Sequence, residues 1–342
     1  MVSVMLGAVL FDRRALSMRS VALAACVLLM AQPETLLEPG FQMSFAATAA
    51  LIAGYSSLRG RLYQQRWPGW AMAAFSVVFT SLLAGLATGP VAAAHFNRVA
   101  GYGLIANVLA VPVMGLAVMP AAVLAGVLAP LGLEGPALWI MGKGTAWILT
   151  VAETVAGWEG AVRAVPSPSA MVLPMMALGA LWVILWRGPV RAAGIVPMVM
   201  AFVIWGQQVR PPVLISADGA LVGLVSVEGR ALSAPKGAGF TARQWLENDG
   251  DLADQAQAAL RSGFLGDKTL RRFALWDWRI VHLKGKAGLA QLDVACGMAD
   301  LVILSLRVEG PGPQGCQFID AQKLRHTGPL ALWPDEVGKL RV

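Results

Sequence analysis

The sequence predicts a polytopic α-helical membrane bundle of about seven segments, residues 1–209, followed by a small soluble mixed α/β domain, residues 210–342. Three observations predict it. Only 14% of the 342 residues are charged and 57% are hydrophobic, against about 25% charged in an average chain. The missing charge is concentrated: residues 1–209 hold eleven of the 27 Lys/Arg and six of the 20 Asp/Glu. Apolar runs near spanning length recur as far as the break Arg210-Pro211-Pro212 and then stop. A soluble chain of this size is thereby excluded, as is intrinsic disorder; three cysteines also exclude a disulfide-stapled scaffold.

Candidate spans lie near 17–31, 41–58, 69–87, 100–129, 136–157, 169–186 and 192–208. Val2 to Phe11 is apolar but too short to span, and it lacks the basic start and cleavage site of a signal peptide, so it reads as the tail of a truncated helix. Orientation follows from loop charge. With Arg13, Arg14 and Arg19 cytoplasmic, alternation also puts Arg59, Arg61, Arg66, Arg187 and Arg191 inside, and only Arg98 and Arg163 outside. The acidic turn Pro33 to Gly40 then faces outward, and the tail is periplasmic. The net charge of +7 is accordingly a topology signal before it is a nucleic-acid signal. If 136–157 lies flat in the interface, Arg187 and Arg191 move outside unless 100–129 is re-entrant.

In the tail, Val213 to Ala217, Ala220 to Val227 and Arg230 to Ala234, separated by Asp218-Gly219 and Glu228-Gly229, read as a β-meander. Thr241 to Asn248 and Asp251 to Arg261 are helix-like. Phe273 to Leu283, Asp300 to Leu306, Gln317 to Asp320 and Leu330 to Trp333 read as short strands. In a periplasmic tail, Cys296 and Cys316 either pair in an oxidising compartment or remain two thiols; Cys26 sits inside a predicted helix.

Chemistry-bearing patterns are sparse. The three histidines, His95, His282 and His326, stand far apart, and no HxH, HExxH or CxxC occurs, so no metal and no cofactor is expected. Asp249, Asp251 and Asp254 suit helix capping better than an ion site. Gly142-Lys143-Gly144-Thr145 lacks the spacing of a phosphate loop, and Gly101-Tyr102-Gly103 reads as a flexible start to an apolar helix. No catalytic residue and no enzymatic activity is expected.

Polar groups inside apolar segments are more informative, because they face a bundle interior or an aqueous path. The helix starting after Pro39 puts Phe41, Ser44, Phe45 and Thr48 on one face, beside Gln42; close interhelical packing and path lining both fit. His95-Phe96-Asn97-Arg98 falls in an outward loop. Asn107 follows inside a segment interrupted by Pro112 and Pro120, and broken helices mark transport sites. Asn107 also fits an interhelical hydrogen bond, and Arg98 a solvated charge. Trp139, Lys143, Trp147, Thr150, Thr154 and Trp158 recur at three and four residues along one helical face. Trp139, Lys143 and Trp147 there suit stacking and phosphate contact, or an aromatic interfacial belt.

With these residues in place, the chain resembles the ComEC-type competence family, inner-membrane proteins implicated in passing incoming single-stranded DNA to the cytoplasm during natural transformation. The likeness rests on Leu37-Glu38-Pro39-Gly40-Phe41-Gln42-Met43-Ser44-Phe45-Ala46-Ala47-Thr48, similar to the family's Pro-Gly-Phe-Gln-Leu-Ser-Phe helix start. It rests also on Phe96-Asn97-Arg98 followed by Ala106-Asn107-Val108-Leu109-Ala110-Val111-Pro112. It covers roughly residues 1–208. The tail, with Trp245 to Asp251 and Phe318-Ile319-Asp320, looks like the short C-terminal domain of alphaproteobacterial members. Many members end in a metallo-β-lactamase-like domain; the motif of its metal cluster is absent here. Members also begin with an OB-like domain and further helices, so an N-terminally truncated form is expected.

The resemblance implies a channel component in the bacterial inner membrane, with the strand moving along Gln42, Ser44, Thr48, Asn97, Arg98 and Asn107. Implied partners are single-stranded DNA, the lipid bilayer, a DNA receptor and a cytoplasmic translocation motor. A small-solute transporter is the alternative, since broken helices and buried amides serve it equally well. A membrane hydrolase would need a constellation the sequence does not contain.

Overall fold

The structure, a computed structural model, describes residues 17–64, 68–310, 312–334 and 340–341, and of 59–64 and 340–341 the backbone alone. Val2 to Phe11, Arg13, Arg14 and Arg66 lie outside the described residues. Two units separate: one runs to Ala164 and continues over Pro168–Gly206, and the other comprises Val165–Ser167 and the chain from Gln207.

The first unit is helical. Helix α1, Met18–Ala31, starts at the extended cap Ser17, whose hydroxyl accepts from the Ser20 N–H, and stops before Pro33. A 3-10 turn, Pro33–Leu37, leads into α2, Pro39–Gln64. Helix α3, Gly69–Phe96, runs through Pro90 to the left-handed cap Asn97, well beyond the 69–87 expected. Strand β1, Arg98–Ala100, precedes α4, Gly103–Val113. A π turn over Met114–Val118 joins α4 to α5, Met119–Leu128. The expected interruption is therefore a wide turn in one helical run. Pro112 and Pro120 carry no N–H for the ladder, and the backbone accommodates them without ending the helix.

After a 3-10 turn at Ala129–Leu131 come α6, Gly135–Ala156, and β2, Val162–Ala164, which pairs antiparallel with β1. Helices α7, Val172–Leu185, and α8, Ile195–Gly206, flank a last 3-10 turn, Pro189–Gly194. They cross closely. A Cβ on Gly179 would stand 2.5 Å from the Gly194 carbonyl oxygen, and one on Gly194 would stand 2.6 Å from that of Gly179.

Among the described residues, three helical runs are long and apolar enough to cross a membrane: Gly69–Phe96, Gly103–Leu131 and Pro189–Gly206. Met18–Ala31 and Val172–Leu185 are apolar but shorter. Packing in this unit is inside-out. Small residues such as Ala24, Ala93, Ala121, Ala137 and Ala201 are buried between helices, while Leu86 and Leu116 are 66% and 83% exposed. Apolar surface on that scale requires hydrocarbon around it, and small residues let helices approach within it.

The second unit has four layers. One sheet orders β12-β11-β3-β4-β5, from β3 (Val213–Ile215), β4 (Val222–Ser226), β5 (Gly229–Leu232), β11 (Leu330–Pro334) and β12 (Leu340–Arg341). The other orders β10-β9-β8-β7-β6, from β6 (Leu265–Gly266), β7 (Leu270–Leu275), β8 (Trp278–Leu283), β9 (Leu301–Leu304) and β10 (Gln317–Ile319). Val213, Ile215, Val222 and Leu224 pack between the sheets against Phe273, Leu275, Ile280, Leu301 and Ile303. Period-two alternation sends Leu221 and Leu232 to the other face of the first sheet. There they meet Ala242, Trp245 and Leu246 of α9, Gly239–Asp249, and Ala258 of α10, Gln255–Ala258. Leu270, Val281, Leu283 and Val302 likewise meet Leu292, Ala295 and Cys296 of α12, Leu292–Met298, which follows α11, Gly285–Leu289. Helix α13, Ala321–Thr327, starts at the cap Asp320.

Several expectations are corrected here. Phe273 to Leu283 is not one strand but parts of two, folded about Trp276-Asp277 with Trp276 at φ +55°. No Gly or Asn marks that turn, which is why the pattern reads as continuous. Of Asp251 to Arg261 only Gln255–Ala258 is helical. Asp254 does cap it, in a reciprocal box with Gln257, but Asp249 and Asp251 cap nothing. Asp249 accepts from the fully buried Arg230 and lies 3.8 Å from Arg210, and Asp251 pairs with Arg261. Their shared reason is burial: cations brought near the α9 C-terminus need carboxylates more than a helix end does. Helices α11, α12 and α13 have no counterpart in the expected pattern.

Candidate functional site

The polar residues expected to line a path are best followed from the point where α2 begins and α3 ends. Pro39 suits the first turn of α2, since its missing N–H has no helical partner there. One turn in, the Gln42 side-chain amide donates to the Leu36 carbonyl of the preceding 3-10 turn at 2.9 Å. Its oxygen meets His95 Nε2, also at 2.9 Å. The Leu36 carbonyl can only accept, which fixes the Gln42 amide with its oxygen toward His95, so His95 Nε2 is the donor. His95 is thus not a loop residue: it occupies the last turn of α3. Asn97 takes φ +56°, ψ +24°, a left-handed cap that asparagine tolerates better than most residues, and is buried. Its N–H donates to the Ala93 carbonyl at 3.0 Å.

Ser44 and Thr48 follow on α2. The Thr48 hydroxyl donates to the Ser44 carbonyl of its own helix at 2.8 Å, and Phe41 and Phe45 lie together with ring centroids 4.3 Å apart. Arg98 is exposed on β1, paired in register with Ala164. Asn107 is exposed on α4 and its side chain makes no hydrogen bond to another described residue, so the structure does not join it to Gln42 and His95. The helical phase of α4 turns it away from the small-residue interior. The Gly101-Tyr102-Gly103 segment is a close approach rather than a flexible start: a Cβ on Gly101 would stand 2.5 Å from the Gly160 carbonyl oxygen.

The aromatic face is partly dismantled. Lys143 lies over the Trp139 ring of its own helix, 5.8 Å from the centroid. Trp147 donates its indole N–H to the Leu109 carbonyl of α4 at 3.2 Å. Helix α6 ends at Ala156, so Trp158 falls beyond it, edge-on to Tyr102 with centroids 5.2 Å apart. Trp139 remains 65% exposed and Trp147 49%.

Two features escaped the sequence reading: the helical placement of His95, and a second polar group. His95 was legible from Asn97, whose favoured place as a helix cap puts the residue two before it in the last turn. Tyr55, Ser76 and Thr80 form the other: the Tyr55 hydroxyl lies 2.8 Å from Ser76 Oγ and 2.6 Å from Thr80 Oγ1, across α2 and α3. The four-residue spacing of Ser76 and Thr80 was its signal.

In the second unit, Cys296 and Cys316 form a disulfide with Cα atoms 5.1 Å apart. Cys26 is an exposed free thiol on α1. Among the described residues, no group of three or more His, Cys, Asp or Glu could hold a metal ion. His282 is buried between the sheets, its Nε2 donating to the Gly219 carbonyl at 2.9 Å. Burial, joined by the charges of Lys284 and Arg271, lowers it to about 4.

No curated protein and no solved structure matches this chain. A family model described as "Competence protein" matches residues 1–190, more than half of the 342. That span contains both motif runs, the Gln42–His95 contact and Asn97, and it ends before Gln207, where the second unit resumes. On that match, and on the ComEC-type motifs within it, the chain belongs to the Competence protein family.

Proposed function

We propose that the chain is a component of a bacterial inner-membrane channel that passes single-stranded DNA into the cytoplasm during natural transformation. The observation that carries this reading is the family match over residues 1–190, which encloses the Gln42–His95 contact and the buried cap Asn97 in a predominantly apolar helical unit. Family membership supports a role in DNA uptake, and of the residues expected along the path only Arg98 carries a full charge. Each Lys/Arg bound to phosphate releases counterions and strengthens binding, so a sparsely charged path favours passage over trapping.

In this reading the seven helical stretches of the first unit lie in or on the membrane, with α6 spanning or in the interface, and the second unit lies in the periplasm. The chain is a passive conduit rather than an enzyme. A DNA receptor delivers the strand and a cytoplasmic motor draws it through.

The test is DNase-protected uptake of labelled DNA in a naturally transformable host deleted for this gene, complemented with the wild-type chain or with the Gln42→Leu/Asn107→Leu double variant at matched protein levels. Reduced uptake by the variant is expected. Normal uptake in the deletion strain itself refutes the channel and puts a small-solute transporter first.

A further inference from the structure

We propose that His95 is a positioning residue: it latches Gln42, and through Gln42 the Pro33–Leu37 turn, against the end of α3. This deepens the channel reading, because it names what regulates the geometry of a path residue. The hydrogen bonds run in one direction across three elements. His95 Nε2, on the last turn of α3, donates to the Gln42 oxygen on the first turn of α2, and the Gln42 amide nitrogen donates to the Leu36 carbonyl in the 3-10 turn. Both donors and both acceptors are used with the correct polarity, so the amide cannot rotate without losing both bonds at once.

Few other contacts hold the turn. Leu36 and Leu37 are exposed, and none of Pro33–Leu37 is buried. Its own bonds are short-range: Thr35 N to the Gln32 carbonyl at 3.2 Å, Glu38 N to the Thr35 carbonyl at 3.0 Å, and the Thr35 hydroxyl to the Gln32 carbonyl at 2.7 Å. A segment with few buried contacts opens locally at low cost, so a tether to a neighbouring helix governs how often it opens. The anchor itself is well fixed: α3 is capped two residues after His95 by Asn97, and the chain then turns into the β1–β2 ribbon. A histidine one turn earlier or later on α3 would face a different neighbour. The structure therefore assigns His95 a role beyond filling the helix end.

Hydrogen exchange read by mass spectrometry on the detergent-solubilised full chain tests the latch without reference to DNA. In His95→Leu, exchange of peptides covering residues 33–42 should rise about three- to thirtyfold, the range set by interhelical hydrogen bonds inside membrane proteins. Peptides from α6 should not change, which shows the variant is folded. His95→Gln, whose amide nitrogen can donate to the same oxygen, should restore most of the protection. The Gln42→Leu/His95→Leu double variant should exchange no faster than the faster single variant, because both substitutions break one chain of bonds. Unchanged exchange at 33–42 in His95→Leu, or additive effects in the double variant, overturns the latch. If exchange behaves as expected but DNase-protected uptake is normal in Gln42→Leu, the path-lining reading falls while the latch stands.

Discussion

His282 makes stability of the four-layered unit depend on pH in a window set by one side chain. It lies between the sheets with its Nε2–H held by the Gly219 carbonyl, and burial lowers it from 6.5 to about 4. The folded unit therefore resists a proton that the unfolded chain accepts. The neutral form's stability is fully present above pH 6.5, is lost as pH falls through 6.5, and stops being lost near 4, where the folded state protonates too. A span of about 2.5 units at about 1.4 kcal/mol each gives about 3 kcal/mol in all, of which about 2 kcal/mol disappears between pH 7 and 4.5. Carboxylates do not confuse the window. Burial is the largest single influence on Asp251 and penalises its charge, but the Arg261 hydrogen bond, the Ala253 N–H and the Arg261 charge together outweigh it, so the pKa is lowered; Asp267 and Asp300 are lowered to about 2 by hydrogen bonds from Thr269 and Arg279. Their effects begin where that of His282 ends. The assay is the urea midpoint of the Ile280–Leu283 amides, followed by pulsed exchange and mass spectrometry in the solubilised full chain at pH 7, 5.5 and 4.5. Wild type should lose about 2 kcal/mol across that range, and His282→Gln should show a flat profile from a lower starting stability. Equal slopes in the two proteins would refute the assignment.

Three further outcomes are expected. Asp249→Asn leaves Arg230, with a fully buried side chain, and Arg210 without their shared carboxylate, and should destabilise the second unit by about 3–5 kcal/mol in the same urea assay. Reducing the Cys296–Cys316 disulfide, or making Cys316→Ser, releases a loop with a sequence separation of 20 residues and should cost about 3 kcal/mol. A lower midpoint after reductant, absent in the serine variant, checks it. Tyr55→Phe removes the hydroxyl shared with Ser76 and Thr80 between α2 and α3 and should weaken that helix pair by about 1 kcal/mol, read as faster exchange in both helices.

The runs Gly69–Phe96, Gly103–Leu131 and Pro189–Gly206 were legible as apolar helices because hydrocarbon imposes a one-dimensional rule: a long enough run without charge forms a helix whatever its neighbours. The two turns Asp218-Gly219 and Glu228-Gly229 marked the meander. The motif runs Leu37–Thr48 and Ala106–Pro112 carried the family, since family identity is written in residue order. What the sequence left open was decided by contacts between residues distant in the chain. Gln42 and His95 are 53 residues apart, and no local pattern says which helix end meets which helix start. Asn107 and Gln42 carry the same amide, yet helical phase exposes one and engages the other. Asp249, Asp251 and Asp254 stand within six residues, and tertiary burial gives the first two to arginines and only the third to a helix cap. Periodicity reports the face a residue occupies; only the assembled fold brings it a partner, because the strength of a buried polar contact depends on what else is excluded from water beside it.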